Sequence, residues 1–291
     1  MHPPASAGND SQLLSRVESL LDDLVDASKI RRKKSVVKRE LCRDFVSVIR
    51  GVRPAFMLDY APLMTAEEIK LISDELNENV LKAHLTGSSE RGGERGGEVM
   101  LLKVCTVLDT VVLVTLGEEE EEEEEESLSQ KATKVPIMVD LDQEIPRARR
   151  LEASEIAIMT ACLAKMKSNS GANIDERDLG DGVIPPQTFV GWMLGYPILY
   201  YYGSKKSSES ENGKEESANV AARKLSLCSL VKVECINDKN EVMYGFTYPE
   251  SVNEDALIKE ALKSWMDGIE KQGEIGLSVR VTHRGPSPVA L

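Results

Sequence analysis

Histidine is scarce in this 291-residue chain, which contains only His2, His84 and His283. A Ser-His-Asp or Cys-His catalytic arrangement would have to use His84 or His283, because His2 lies in a polar N-terminal stretch. Neither histidine lies near a G-x-S-x-G nucleophile elbow, and the phosphate-binding pattern G-x-x-x-x-G-K-[ST] does not occur in the sequence. The sequence therefore excludes the familiar hydrolase and P-loop classes.

Long apolar runs are also missing. No stretch approaches the roughly 20 apolar residues that a membrane-spanning helix needs, and residues 1–10 lack the apolar core of a secretion signal. The cysteines are odd in number, scattered, and without C-x-x-C spacing, so we expect reduced thiols and no structural zinc site. The protein is therefore expected in the cytoplasm, or in the nucleus if the basic run at residues 31–34 is a nuclear address. The five cysteines are Cys42, Cys105, Cys162, Cys228 and Cys235.

Aromatic residues make up only 4% of the chain, whereas charged residues make up 29% and give a formal net charge of −13. Nine of the acids form an uninterrupted glutamate run at residues 118–126, so the rest of the chain is only mildly acidic. A protein that binds nucleic acid broadly needs a basic surface that neutralises phosphates. The charge balance therefore argues against nucleic acid as a partner.

Three polar stretches interrupt the chain, at residues 87–97, 117–133 and 204–219. None contains enough apolar side chains to offset the entropy lost on ordering. Surface loops tolerate such insertions because the entropy of loop closure grows only logarithmically with length. We therefore predict disordered loop insertions at these positions, a disordered tail over residues 1–10, and a single α/β domain over residues 11–291.

Between the insertions the apolar pattern switches between strand and helix spacing. Short apolar runs predict buried strands at residues 55–58 and 137–141. Residues 99–108 and 111–116 have the composition of two paired strands. Apolar residues at helical spacing over residues 156–166 predict a helix.

The last third of the chain continues this alternation. Residues 225–236 and 242–248 predict a hairpin around a polar turn. Ser251 and Glu254 have the spacing of a capping box ahead of a helix, and an alternating strand over residues 277–281 follows. Strands interleaved with helices predict an α/β layered fold in which helices flank a mixed β-sheet.

Four short motifs occur in an order that resembles a eukaryotic family, uncharacterised protein family 0739 (domain of unknown function 4504). They are residues 54–60 (PAFMLDY), 191–200 (GWMLGYPILY), 246–251 (FTYPES) and 288–291 (PVAL). The resemblance covers most of the chain apart from the insertions. It implies no activity, cofactor or catalytic residue, because the family brings none with it.

Three aspartates are the main candidates for chemistry. Asp59 and Asp140 each fall at the C-terminal end of a predicted buried strand, and Asp142 follows shortly after Asp140. Ligands bind at this edge of open α/β sheets, so converging carboxylates there would hold Mg²⁺, which in turn binds substrate phosphates. The alternative, which the sequence favours, is that each aspartate caps a turn through nearby backbone N–H groups.

A cluster of tyrosines stands out in a chain so poor in aromatic residues. In the predicted strand over residues 198–202, Tyr200 and Tyr202 point to one face and Tyr201 points to the other. One set is expected in the core with its hydroxyls hydrogen-bonded, and the other is expected to line a groove. We select Tyr196 and Tyr200, beside the three aspartates, as candidate ligand-binding residues.

The scarcity of histidine and the absence of nucleophile and phosphate motifs favour a non-catalytic binding or adaptor protein with a protein partner and no cofactor. The alternative is a metal-dependent hydrolase or phosphotransferase. In that alternative Asp59 and Asp140 hold the metal, and Asp142 is a further ligand or a general base. The sequence does not determine the oligomeric state.

Overall fold

The chain falls into two compact units in a computed structural model, unit 1 (1–121 and 165–173) and unit 2 (122–164 and 174–291). Several predicted disordered stretches lie outside the residues that the structure describes. They are the tail 1–10, the insertions 87–97 and 204–219, and residues 118–133 of the insertion 117–133. The prediction of one domain over residues 11–291 stays a prediction. The structure describes residues 15, 19, 43–45, 47–48, 53–57, 70, 73–74, 77–78, 100–107, 110–117, 135–169, 171–202, 224–238, 240–271 and 277–286.

Helices and strands alternate along the described ranges, so the α/β class predicted from the sequence is confirmed. Nowhere in these ranges is a helix both long enough and apolar enough to cross a bilayer. Among the described residues, the helices whose bounds are defined are α1 (Ala153–Ser168), α2 (Pro186–Met193) and α3 (Ala256–Lys271), and Glu250–Val252 form a 3₁₀ turn. The strands are β1 (Ala55–Met57), β2 (Met100–Val107), β3 (Thr110–Gly117), β4 (Ile137–Asp140), β5 (Arg147–Arg150), β6 (Asn173–Ile174), β7 (Ile198–Tyr201), β8 (Leu230–Ile236), β9 (Val242–Pro249) and β10 (Ser278–Arg284).

Sheet I, with strand order β1-β3-β2-β6, lies almost wholly in unit 1. β2 and β3 are antiparallel neighbours from Met100 opposite Gly117 to Val107 opposite Thr110, so the predicted pair of strands is confirmed. β1 adds to the other side of β3 and carries Phe56. The fully buried rings of Phe45 and Phe56 meet edge to face, with centroids 5.1 Å apart, an arrangement that aromatic pairs prefer.

Unit 2 contains two further sheets. Sheet II has the order β5-β4-β7, in which β4 is antiparallel to β5 and parallel to β7. Sheet III has the order β10-β8-β9 and is antiparallel throughout. The strands of the described residues are therefore shared among three sheets, and sheet II is the mixed one.

Sheets II and III and helix α3 share one apolar core. Trp265 of α3 packs edge to face against Phe246 of β9, with ring centroids 5.3 Å apart. Tyr200 of β7 reaches across to β9, where its hydroxyl donates a hydrogen bond to the Thr247 carbonyl. The buried members of this core cluster are Ile137, Val139, Leu141, Ile198, Tyr202, Leu225, Leu230, Val231, Val233, Phe246, Tyr248, Val252 and Ile258.

Three local features of unit 2 differ from the sequence prediction. β5 was not predicted, because its sequence RARR lacks an apolar pattern. The strand predicted from residue 225 begins only at Leu230, after a helical turn at residues 224–226. Helix α3 is capped by Asp255, whose carboxylate accepts the Leu257 backbone N–H at 2.8 Å, and the proposed capping residue Ser251 lies in the preceding 3₁₀ turn.

Candidate functional site

The C-terminal ends of the parallel strands β4 and β7 lie side by side in sheet II. Their register places Asp140 beside Tyr201, and β5 starts at the same edge, with Arg147 opposite Asp140. Ligands bind at this edge of parallel strands in open α/β sheets. We call this edge the rim and define it by Asp140, Asp142, Arg149, Glu155, Tyr201 and Lys224.

Strand alternation sends the rim side chains to the face of sheet II that lies opposite the core cluster. Val139 and Tyr200 contribute to the core cluster, so Asp140 and Tyr201, which follow them, point the other way. The apolar part of this outer face is covered by α2, since a Cβ on Gly191 of α2 would lie 3.2 Å from Leu199. The polar part of the same face forms the rim.

Asp140 holds the loop that follows β4. One of its carboxylate oxygens accepts the Asp142 backbone N–H at 2.8 Å, and the other accepts the side-chain amide of Gln143 at 3.1 Å. This is the local turn-forming role of an aspartate at a strand end. Asp142 itself forms an ion pair with Lys224 at 2.7 Å, which ties the loop to the helical turn containing Lys224.

Arg149 is the most highly connected side chain of the rim. Its two terminal nitrogens donate to the two carboxylate oxygens of Glu155, at 2.8 and 2.7 Å. Glu155 lies in the first turn of α1 and also accepts the Glu152 backbone N–H at 2.8 Å. The guanidinium carbon of Arg149 lies 5.1 Å from the ring centroid of Tyr201. A planar guanidinium can make the bidentate and stacking contacts together, whereas a lysine ammonium cannot.

The rim environment shifts two pKa values. Burial by itself would raise the pKa of Glu155, but the hydrogen bonds from Arg149 and the Glu152 N–H outweigh burial and hold this pKa below its usual range. The pKa of the Tyr201 hydroxyl is raised, first by burial and then by the negative charge of Asp142. At neutral pH the rim therefore presents a paired carboxylate and a neutral phenol, neither of which is poised as a base.

Burial favours the thiol form of three cysteines elsewhere in the described residues. Burial raises the pKa of Cys235 to about 11 and that of Cys105 to about 12, and it also raises the pKa of Cys228. The buried Cys162 donates its S–H to the Asp178 carbonyl at 3.4 Å. The thiolate is the nucleophilic form of cysteine, so the raised pKa disfavours nucleophilic attack by Cys105, Cys228 and Cys235 at neutral pH.

The residues selected from the sequence go to three different places. Asp140 and Asp142 lie at the rim, whereas Asp59 lies outside the described residues, so its convergence with Asp140 stays a prediction. Tyr200 is half-buried against the core cluster, and burial of its hydroxyl raises its pKa. Tyr196 packs against the core cluster with its ring 5.7 Å from Phe246. The tyrosine that reaches the rim is Tyr201, which faces away from both.

The sequence analysis did not select Arg149, Glu155, Tyr201 or Lys224. Alternation along β7 predicted that Tyr201 faces the opposite side of the strand from Tyr200 and Tyr202. This pattern would have identified Tyr201 as a rim residue if the core-facing side of β7 had been known. No spacing rule links Lys224 to Asp142, because they are far apart in the chain. In the ranges that the structure describes, no group of three or more His, Cys, Asp or Glu side chains is arranged to hold a metal ion.

Two exposed apolar side chains lie in the segments that carry the rim residues Lys224 and Asp142. Leu227 is 80% exposed and Ile145 is 66% exposed, the highest values among the exposed large hydrophobic residues of the described chain. Leu227 follows Lys224 by three positions, and Ile145 follows Asp142 by three positions. The ion pair between Lys224 and Asp142 therefore joins the two segments that carry these side chains.

Comparison with known proteins gave one match. A family model described as Domain of unknown function (DUF4504) matches residues 24–274. No curated protein and no solved structure matches the chain.

Proposed function

Since the chain belongs to the domain of unknown function 4504 family, whose description assigns no activity, we propose that it is a non-catalytic binding protein and that a protein partner docks at the rim. We place this function in the cytosol or the nucleus. Free cysteines at positions 105, 162, 228 and 235 support a reducing compartment, because such compartments keep thiols reduced.

The pairing of the rim charges supports binding over catalysis. Asp140 is engaged by its own loop, Asp142 by Lys224, and Glu155 by Arg149. A general base or nucleophile needs an accessible group with its pKa tuned toward the working pH. The shifts at Glu155 and Tyr201 run away from neutral pH, so both groups keep one protonation state there.

The exposure of Leu227 and Ile145 is the observation that carries the proposal. Large apolar side chains usually lose most of their exposed surface on folding, and adjoining exposed ones mark interaction sites. Here both lie three residues from the ion-paired rim residues Lys224 and Asp142. The rim also contains a tyrosine and an arginine, residue types that are enriched where proteins bind each other. The ion pair between Asp142 and Lys224 fixes the two segments in advance, which reduces the entropy lost on binding.

Replacing Leu227 by aspartate is expected to abolish partner capture while leaving the fold intact. A charge at the centre of an apolar contact would have to be desolvated without a partner, so recovery should fall at least about tenfold. Tagged protein is used to capture partners from cell lysate, and the recovered stoichiometric partner is quantified by mass spectrometry. Ile145→Asp should act in the same direction.

Val183→Asp is the matched control, because Val183 is another exposed aliphatic residue of unit 2 and its segment carries no rim residue. A partner that wild type and Val183→Asp recover equally, and that both rim variants lose, supports the proposal. Equal recovery by all four proteins would contradict it. Thermal melts of each variant should agree within a few degrees, since exposed substitutions usually change stability little.

The alternative function, a metal-dependent hydrolase or phosphotransferase using Asp140 and Asp142, has a separate test. A specific metal that binds only the native state raises the melting temperature by mass action. We expect millimolar Mg²⁺ or Mn²⁺ to leave the melting temperature unchanged, because an incoming metal would have to displace Lys224 and the loop hydrogen bonds of Asp140. A rise that Asp140→Asn abolishes would instead favour the enzyme.

A further inference from the structure

β10 forms an edge of sheet III. It pairs with β8 over seven residues, from Ser278 opposite Ile236 to Arg284 opposite Leu230. Its sequence SVRVTHR contains no proline, and the register irregularity of this sheet lies between β8 and β9 instead. Long regular edge strands are places where another strand can add, unless charge, proline or a bulge blocks them.

The hydrogen-bond pattern of the sheet shows which residues of β10 face outward. The Glu250 backbone N–H donates to the Ser229 carbonyl at 2.8 Å, and these residues are opposite each other in the register of β8 and β9. Because hydrogen-bonded pairs alternate in an antiparallel ladder, Lys232 and Glu234 direct their backbone groups toward β10. Their partners Thr282 and Arg280 therefore bond to β8. The N–H and C=O groups that point away from the sheet are those of Val279, Val281 and His283.

The other edge of the same sheet is occupied. The same alternation directs the Thr247 carbonyl of β9 outward, and there it accepts the Tyr200 hydroxyl. Among the described residues, no hydrogen bond joins the outward backbone groups of Val279, Val281 or His283 to another segment.

The side chain of Val281 points to the core-facing side of sheet III, because its partner Val233 is buried in the core cluster. Val281 is nevertheless 49% exposed. The apolar face of the sheet thus continues to the edge strand, and no strand formed by the described residues covers it there. An added strand would remove this apolar surface from water.

We propose that β10 of a second copy of this chain adds antiparallel to β10, with the two-fold axis at Val281. In this register Val281 lies opposite Val281 of the second copy, and Val279 lies opposite His283. Arg280 falls opposite Thr282, and Arg284 falls opposite Ser278. No two arginines are directly opposite, so the strand is complementary to itself, as an isologous interface requires.

The edge strand of sheet II shows the contrasting pattern. β5 reads RARR, and an antiparallel pair of such strands would place Arg147 opposite Arg150 of the second copy. Like charges directly opposite each other destabilise a strand pair. The arginines thus block self-pairing at β5, whereas β10 joins two copies of sheet III into one continuous sheet through about six backbone hydrogen bonds.

Val281→Lys is expected to weaken the dimer at least about tenfold, because two lysines would meet at the two-fold axis. Molar mass is measured across a concentration series by size-exclusion chromatography with light scattering. Val183→Lys, at another exposed valine of unit 2, should associate like wild type. A monomeric wild type at about 100 µM, well above the Kd of a stable dimer, or a Val281→Lys dimer as tight as wild type, would overturn the proposal.

Disulfide cross-linking gives a second readout that does not depend on a destabilising change. Directly opposite residues of a hydrogen-bonded antiparallel pair have Cα atoms about 5.5 Å apart, which a disulfide spans. Val281→Cys should therefore form a covalent dimer under mild oxidation. Thr282→Cys should not, because the two copies of residue 282 are out of register by two positions and exceed the span of about 7 Å. Equal cross-linking of both variants, or of neither above the wild-type level, would contradict the pairing.

Discussion

Replacing Arg149 by leucine is expected to lower the free energy of unfolding by about 2 to 4 kcal/mol at pH 7. Glu155 is 4% exposed and relies on Arg149 for two of its hydrogen bonds. Without the guanidinium, a buried carboxylate remains with only the Glu152 N–H as a partner, and an uncompensated buried charge costs more than the pair contributes. Urea denaturation followed by circular dichroism measures the difference.

Arg150→Leu provides the matched control in the same strand. The Arg150 side chain is 63% exposed, and its ion pair with the equally exposed Glu260 is 3.4 Å long. Exposed pairs contribute little, so this variant should differ from wild type by no more than about 0.5 kcal/mol. Adding Glu155→Leu to Arg149→Leu should recover more than half of the loss, because the unpaired charge is then removed as well. Equal losses for Arg149→Leu and Arg150→Leu would show that Glu155 does not depend on Arg149.

The same pair sets a pH dependence whose direction follows from the lowered pKa of Glu155. A carboxyl group whose pKa is lower in the folded protein stabilises the fold above its unfolded pKa, near 4.5, and loses that contribution as pH falls through the folded pKa. In Arg149→Leu only burial and one N–H act on Glu155, so protonation relieves the unpaired charge. The stability gap between the two proteins should be widest at neutral pH and should narrow as pH falls below 4.5, where wild type loses the contribution of Glu155.

Gly245→Ala is expected to cost about 2 to 3 kcal/mol through a steric clash within sheet III. A Cβ at position 245 would lie 2.7 Å from the Val233 carbonyl oxygen and 3.3 Å from Cγ of Glu234, and a backbone carbonyl in a central strand cannot move away cheaply. Glu234 lies opposite Gly245 on the neighbouring strand β8. Its side chain is held in place by ion pairs to Arg280 and Lys232. Thermal or urea unfolding measures the loss.

Gly268→Ala is the control of opposite sign. Gly268 lies in helix α3, and a Cβ there would meet no atom within 4 Å. Alanine in a helix interior is more favourable than glycine by up to about 1 kcal/mol, mainly because the unfolded chain loses freedom. The two substitutions add the same methyl group, so a destabilised Gly268→Ala or an unaffected Gly245→Ala would contradict the steric argument.

Strands whose stability depends on local pattern could be predicted from the sequence. Val242, Tyr244, Phe246 and Tyr248 alternate with smaller or polar residues, and the last three are buried on one face of β9. Alternation of this kind reports a half-buried strand directly. The hairpin of β8 and β9 was predicted for the same reason, except that its first strand begins later than expected.

β5 could not be predicted in this way, because nothing local favours it. Three of its four residues are arginines, and the strand forms because β4 supplies hydrogen-bond partners and Glu155 supplies a charge partner for Arg149. Both partners are near in sequence, since β4 directly precedes β5 and Glu155 follows Arg149 by six residues. The apolar pattern of RARR nevertheless does not encode these contacts, because they are made by backbone groups and charges.

The candidate site likewise contains residues that the sequence could predict and residues that it could not. Asp140 and Asp142 were found because a carboxylate directly after a buried strand is recognisable in the sequence. The residues around them were not found. Lys224 and Glu155 reach the rim because of the strand order in sheet II and the placement of α1, which the sequence pattern does not reveal. Whether Tyr200 or Tyr201 reaches the rim depends on which face of β7 packs against sheet III. The arrangement of the sheets determines that face.

The parallel pairing of β4 with β7 also has a kinetic consequence. The hairpin of β8 and β9 closes across a short turn, whereas β7 meets β4 only after the chain has passed through α1 and α2. Closing a long segment costs chain entropy before any contact offsets it, so pairings of high contact order form slowly. We therefore expect the β8–β9 hairpin to form before the edge where Asp140 meets Tyr201 is assembled.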